Sequence, residues 1–169
     1  MTTNPDHNGY VIDAESPTEM ARLINLDRFI IKGMGGALAG VPLEGLNKVL
    51  DLACGPGGWT LNVAYALPDA EVAGVDISKT MIDYARARAT SQGIANASFE
   101  RMNIAEGLDF SDNTFDLMYA HLATGWPFAL DRDAGLWSND QPVLRTVFSP
   151  LRARLVQIWL WLLYQRRFI

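Results

Sequence analysis

At 169 residues the chain has the size of one domain, and an apolar content of 49% supplies it with a core. A net charge of −5 argues against nucleic acid or an acidic membrane surface as the main partner and tolerates a cationic small ligand. The single cysteine, Cys54, excludes an internal disulfide and a cysteine-built zinc site, which fits a cytoplasmic setting. The start, "MTTNPDHNGY", is polar and unlike a signal peptide. The longest apolar run, "LVQIWLWLLY" at 155–164, is shorter than the about 20 residues a membrane span needs.

In chain order, residues 1–9 read as a loosely attached start. A helix follows in "SPTEMARLINLDRFIIKGMGG". Ser16 stands as its N-cap, Pro17 at its first position and Glu19 as the partner in a capping box. Met20, Leu23, Ile24, Ile30 and Ile31 recur at helical spacing, and Gly33, Gly35 and Gly36 stop the helix. Val49 to Leu52 form a short buried strand. Gly57 and Gly58 open a helix that ends before Pro68. "EVAGVD", 71–76, is a second strand. Ser78 caps a third helix with Met81, Ile82, Ala85 and Ala89 on one face and Gly93 at its end. "ASFERMN", 97–103, and "FDLMYA", 115–120, are further strands. Strands and helices in alternation predict an α/β fold, a parallel sheet covered by helices. Past Leu122 the periodicity fails. Residues 1–122 therefore read as the organised part and 123–169 as an atypical tail without a fifth strand. Its "LRARLVQIWLWLLYQRR" reads as a helix apolar nearly all round, which needs burial on several sides.

The first strand runs into "ACGPGGWT". Glycine there permits positive φ and close approach of a ligand to the backbone, and the helix beyond offers unpaired N–H groups. In a dinucleotide fingerprint of the form G-x-G-x-x-G, Gly55 and Gly57 fill the first two places, but the third falls on Thr60. Asp51, four residues before Gly55, is an awkward neighbour for a pyrophosphate and a good one for an ammonium group. Both features disfavour a nicotinamide-cofactor oxidoreductase.

"VLDLACGPGG" resembles motif I of the class I S-adenosylmethionine (SAM) dependent methyltransferases. "VAGVDIS" is similar to the family's second strand with its ribose-binding acid, Asp76, which lies 25 residues beyond Asp51. "ERMNIAEGLDFSDNTFDLMYAH" is similar to its third strand, adenine-site loop and fourth strand, and "YVIDAESPTEMARLINLDRFIIKGMGG" to the N-terminal helices of its small-molecule members. The resemblance covers residues 10–122 and implies a three-layer Rossmann-like sandwich with strand order 3-2-1-4. The family's further strands 5, 7 and 6 are missing or replaced.

The resemblance also implies roles. Gly55 and Gly57 let the methionine part of the cofactor lie against the backbone, and Asp51 holds its amino group. Asp76 accepts from the ribose hydroxyls, Ile77 packs on the adenine, and Asn103 and the Ile104 N–H read the adenine edge. Tyr119 ends the fourth strand near the transferable methyl group, and Tyr10 closes over the ligand. Ala53 and Met81 complete the implied cofactor set. His121 reads as a loop residue rather than a base.

Methyl transfer from a sulfonium needs alignment more than acid–base groups, so no catalytic triad or metal cluster is expected, and no catalytic residue is assigned. The expected activity is methylation of a small molecule. The alternative is an inactive SAM-binding remnant, truncated or frame-shifted near residue 122. Without further strands, the fourth strand is expected either to lie at an exposed edge, through which the chain could pair with another copy, or to be covered by the apolar tail.

Overall fold

The computed structural model describes residues 13–104, 106–111, 114–120 and 154–156. In chain order it contains α1 (Pro17–Met34), β1 (Lys48–Leu52), α2 (Gly58–Ala66), β2 (Glu71–Asp76), α3 (Lys79–Gln92), β3 (Ala97–Arg101), β4 (Leu117–Ala120) and β5 (Arg154–Val156). The strands form one parallel sheet in the order β3-β2-β1-β4-β5. The 3-2-1-4 arrangement is as expected. Parallel strands are covered on both faces, and the short run Val49–Leu52 is buried at every position.

Alternation along the strands divides the core. Val49, Val72 and Leu117 point to the face where α2 lays Trp59, Val63 and Ala64. Phe99 of β3, on the same face, meets Leu61 of α2 and Ile82, Ala85 and Ala89 of α3. Leu50, Leu52, Val75 and Met118 point to the opposite face. Among the described residues, the layer on that face is the segment after β3, whose Ile104, Phe110 and Phe115 pack beneath the strands.

Local signals explain most of the ends. Ser78 caps α3 with its hydroxyl, which accepts from the Met81 N–H at 3.2 Å, and Gly93 closes the helix in the left-handed conformation. Gly35 does the same for α1. Asn96, just before β3, donates its side-chain amide to the carbonyls of Ala64, Leu67 and Ala70 at 3.0, 3.0 and 2.9 Å. It thus satisfies the C-terminal end of α2 from outside the helix. Asn96→Ala should lower stability by about 1–3 kcal/mol, because partly buried carbonyls lose their donor. A urea-denaturation midpoint unchanged from wild type would remove Asn96 from that role.

Three expectations are corrected. The capping box of α1 does not form: the Ser16 side chain makes no cap, and Glu19 turns to Arg22, with contacts of 2.6 and 2.7 Å. Met20, Leu23, Ile24, Ile30 and Ile31 of α1 are only half-buried, whereas its buried residues are Glu19 and Asp27. The third concerns the tail. Arg154–Val156 is a strand, not part of a helix, and pairs in parallel with Leu117–Tyr119 of β4. Three residues are too few to show a period in the sequence. The edge of β4 is covered over those residues by the tail, the second of the two outcomes expected for it, but by a strand rather than a helix. The rest of the tail lies outside the described residues.

One transverse row of the sheet runs along the face covered by α2 and α3. Phe99, Gly74, Asp51, Tyr119 and Val156 are register neighbours across the five strands. The row therefore places Asp51 beside Tyr119, under the N-terminal half of α2.

Candidate functional site: the turn between β1 and α2

The chain leaves β1 through three residues with positive φ: Ala53 at 53°, Gly55 at 53° and Gly57 at 74°. The left-handed backbone is costly for Ala53, which lacks glycine's freedom. At Gly57 a side chain is excluded twice, by φ and by space. A Cβ there would sit 2.8 Å from Phe99 Cε1 and 3.0 Å from Ala85 Cβ. Glycine at 57 thus lets the turn lie directly on β3 and α3. The Cys54 N–H donates to Val75 O at 2.9 Å, and the Gly57 N–H to Cys54 O at 3.0 Å.

Charged side chains from three elements fasten this turn. Asp76, at the end of β2, accepts from the Gly55 N–H at 2.8 Å and, with its other oxygen, from the Ser78 N–H at 2.9 Å. Arg88, from the middle of α3, donates to Pro56 O at 2.9 Å. Asp27, from α1, sets its carboxylate against Gly58. Gly58 has no room for a side chain, since a Cβ would stand 2.8 Å from the Asp27 Cβ and Cγ. Leu23, Asp27 and Ile31 follow at helical spacing of four, facing Gly55, Gly58 and the core respectively. A carboxylate therefore sits in the middle of the inward stripe of α1.

Asp51 lies beneath the turn, 2% exposed, and accepts from the Thr60 hydroxyl at 2.6 Å. Thr60 is fully buried. Burial pushes the Asp51 carboxyl well above the usual carboxylate range, and the neighbouring charges of Asp27 and Asp76 push the same way. Burial also raises Asp27, to about 7, against the opposing pull of the Gly58 N–H and the Arg88 charge. Asp76 is raised too, again by burial. The turn is lined by acids that are reluctant to ionise without a cation nearby.

The segment before α1 is drawn to the same end of the sheet. Glu15 accepts from the Lys79 and Thr80 N–H groups at 3.0 and 2.9 Å, and Ser78 Oγ donates to Ala14 O at 3.0 Å. The start of α1 is thereby tied to the first turn of α3, beside the end of β2 that carries Asp76.

Of the residues singled out from sequence, Ala53, Gly55, Gly57, Asp51, Asp76 and Ile77 gather at the carboxyl ends of β1 and β2. Asn103 and Ile104 follow β3, which is held alongside by the Met102 N–H to Asp76 O at 2.9 Å. The Asn103 amide donates to Glu106 at 2.7 Å. Met81 is buried in α3. Tyr119 is 1% exposed, its ring stacked on Trp59 with centroids 4.0 Å apart and planes 5° from parallel. Trp59 in turn donates to Ala37 O at 2.9 Å. Tyr10 and His121 lie outside the described residues. Asp27 and Arg88 join the site without having been singled out by the sequence pattern, and Thr60, noted there only for breaking the dinucleotide fingerprint, holds Asp51.

The raised Asp27 carboxyl gives a signed expectation. Between its ordinary range and about 7 the folded protein holds a proton that the unfolded chain releases. Stability then falls as pH climbs through that window. Asp27→Asn should flatten the fall and leave the ligand-free protein about 1–3 kcal/mol more stable than wild type at pH 8, with little difference at pH 4. Parallel urea curves at the two pH values check this, and a wild-type slope retained in the variant would refute it.

Comparison with known proteins agrees with this architecture. The family described as "Methyltransferase domain" matches residues 43–154. Demethylmenaquinone methyltransferase of Lactiplantibacillus plantarum is 40% identical over 82 residues, covering 48% of this chain and 35% of its own length. Trans-aconitate 2-methyltransferase of Methylobacterium radiotolerans is 38% identical over 90 residues, 53% of this chain and 32% of its own. This chain thus spans about a third of these relatives. A SAM-dependent methyltransferase from Aquifex aeolicus superposes with a TM-score of 0.54 at 20% identity, over 62% of this chain and 56% of that one, which establishes a shared fold. The chain belongs to the methyltransferase-domain family and has the Rossmann-like fold of SAM-dependent methyltransferases.

Proposed function

We propose that the turn between β1 and α2, with Asp76 beside it, binds SAM, and that the protein is a methyltransferase acting on a small molecule. The observation that carries this reading is the lining of the turn. Asp51 and Asp27 are buried against it and Asp76 closes its side. Such a lining suits a ligand with an ammonium and a sulfonium and opposes the pyrophosphate of a dinucleotide.

The residues present fit that cofactor. Each Asp76 oxygen accepts one backbone N–H and keeps a further lone-pair site, so the carboxylate can also accept from two ribose hydroxyls. Asp51 supplies the charge for an amino group, directly or through water. Ile77 stands next to Asp76 for the adenine face, and Asn103 with Ile104 offers polar groups for its edge. Gly55 lets the methionine portion approach the backbone, with Ala53 beside it. Tyr119 acts through Trp59 and Asp51 as buried support. SAM when bound supplies an activated methyl group for in-line displacement, so these residues have mainly to bind and align. Tyr10 and Met81 remain candidates for closing the site and shaping its floor.

The methyl acceptor is a small molecule, as in the relatives that act on demethylmenaquinone and trans-aconitate. Isothermal titration of the protein with SAM and separately with NAD tests the reading. SAM should bind at one equivalent and NAD should not. Tight NAD binding without SAM binding would replace this function by a nicotinamide-dependent one.

A further inference from the structure

Pro56 is a weak point of the turn. It has no N–H, so only its carbonyl can be tied down. The tie comes from Arg88 Nη1 at 2.9 Å, across a sequence separation of 32 residues. The guanidinium is steered there by Tyr84, one helical turn earlier on α3, whose ring centroid lies 5.8 Å from Arg88 Cζ. The same peptide unit ends in the Gly57 N–H, which donates to Cys54 O. Of the neighbouring residues, Gly55 is fixed by Asp76 at its N–H, and Gly58 lies against the Asp27 carboxylate. Arg88 is the one cation in this set, and its bond is charge-assisted.

We infer that Arg88 is a positioning residue of the ligand site: it clamps the Pro56–Gly57 peptide so that the turn holds its binding shape before any ligand arrives. It touches the turn from the α3 side, where Phe99 and Ala85 also press on Gly57. A second effect comes from charge. Asp27 is faced by Arg88 from α3, by Asp51 from β1, by the Gly58 N–H from α2 and by Tyr119 from β4. Removing the Arg88 cation leaves Asp27 with acidic and neutral neighbours, and its ionisation becomes harder. The expected loss of cofactor affinity rests on the SAM reading, whereas the clamp itself does not.

The test uses Arg88→Met and Arg88→Lys in the full chain, with amide hydrogen exchange of the ligand-free proteins and SAM titration from pH 6 to pH 9. In Arg88→Met the Gly57 amide should exchange at least about tenfold faster, with the amides of β1 and the rest of α3 unchanged. SAM affinity should fall about tenfold or more, with its pH profile displaced upward. Arg88→Lys, which keeps a charged donor, should recover most of both. Gly57 exchange equal to wild type in Arg88→Met overturns the inference. So does acceleration spread evenly over β1 and α3, which indicates plain destabilisation. Should Arg88→Met fail to fold, Arg88→Lys decides: wild-type Gly57 exchange in every condition, with SAM affinity reduced, refutes the clamp. If wild type binds no SAM, the proposed function fails while Gly57 exchange still judges the clamp.

Discussion

Gly57→Ala should cost about 2–5 kcal/mol of stability. Two costs combine. A left-handed conformation costs an L-residue about 1–2 kcal/mol. Overpacking costs about 1–3 kcal/mol more, because the methyl would meet Phe99 Cε1 at 2.8 Å and Ala85 Cβ at 3.0 Å, neither of them the end of a flexible chain. Against a typical total of about 5–15 kcal/mol, that is enough to leave the domain partly unfolded at 37 °C. Gly93→Ala is the matched control. Gly93 has φ of 67°, close to that of Gly57, but open space where its Cβ would go. It should lose only the strain. Equal urea midpoints for the two variants would show that the packing of the turn on α3 contributes nothing.

Asp76→Ala should cost binding rather than mainly fold. The Gly55 and Ser78 N–H groups lose their acceptor, and a ribose loses its partner. A hydrogen bond to a charged group contributes about 1.5–3 kcal/mol, so SAM affinity should drop about 10- to 150-fold. Asp76→Asn should fall between, since one amide oxygen can serve only one of the two backbone donors while the NH2 faces the other. Calorimetric titration at matched protein stability measures both. An Asp76→Ala protein that folds and binds SAM as wild type does removes Asp76 from the site.

The architecture is legible in the sequence wherever a local signal decides. β2 reads with its observed bounds, and Ser78 and Gly93 mark the ends of α3 by side-chain capping and by a left-handed closing residue. The glycine turn, with Asp51 and Asp76, is legible because turn and acids occupy fixed offsets from strands.

What fails to show depends on tertiary contact. Ser16 and Glu19 have the spacing of a capping box, but Glu19 finds Arg22 one turn on. Asp27 interrupts an apolar stripe at the position between Leu23 and Ile31. That interruption is the available signal, and it lies hidden among charged neighbours. Arg88 belongs to a run, "ARARA", in which nothing local separates one arginine from the other; one reaches Phe99 O and the other Pro56 O. Tyr119 reads in the sequence as a residue at a strand end near the chemistry. The register sets it opposite Asp51, and its ring stacks on Trp59 inside the core. β5 has three residues, too few for a period, and its partner β4 stands 37 positions earlier by Leu117↔Arg154 pairing.

The central claim is that the turn between β1 and α2, closed by Asp76, is a SAM site. An amide-resolved NMR titration of the labelled protein with SAM tests it most directly. Saturable shifts should appear at Gly55, Gly58, Ile77 and Ser78, with Gly93 and the C-terminal half of α3 unmoved. Saturable binding that shifts other amides and leaves Gly55 and Ile77 in place would contradict it, as would a folded protein that shows no shifts at all.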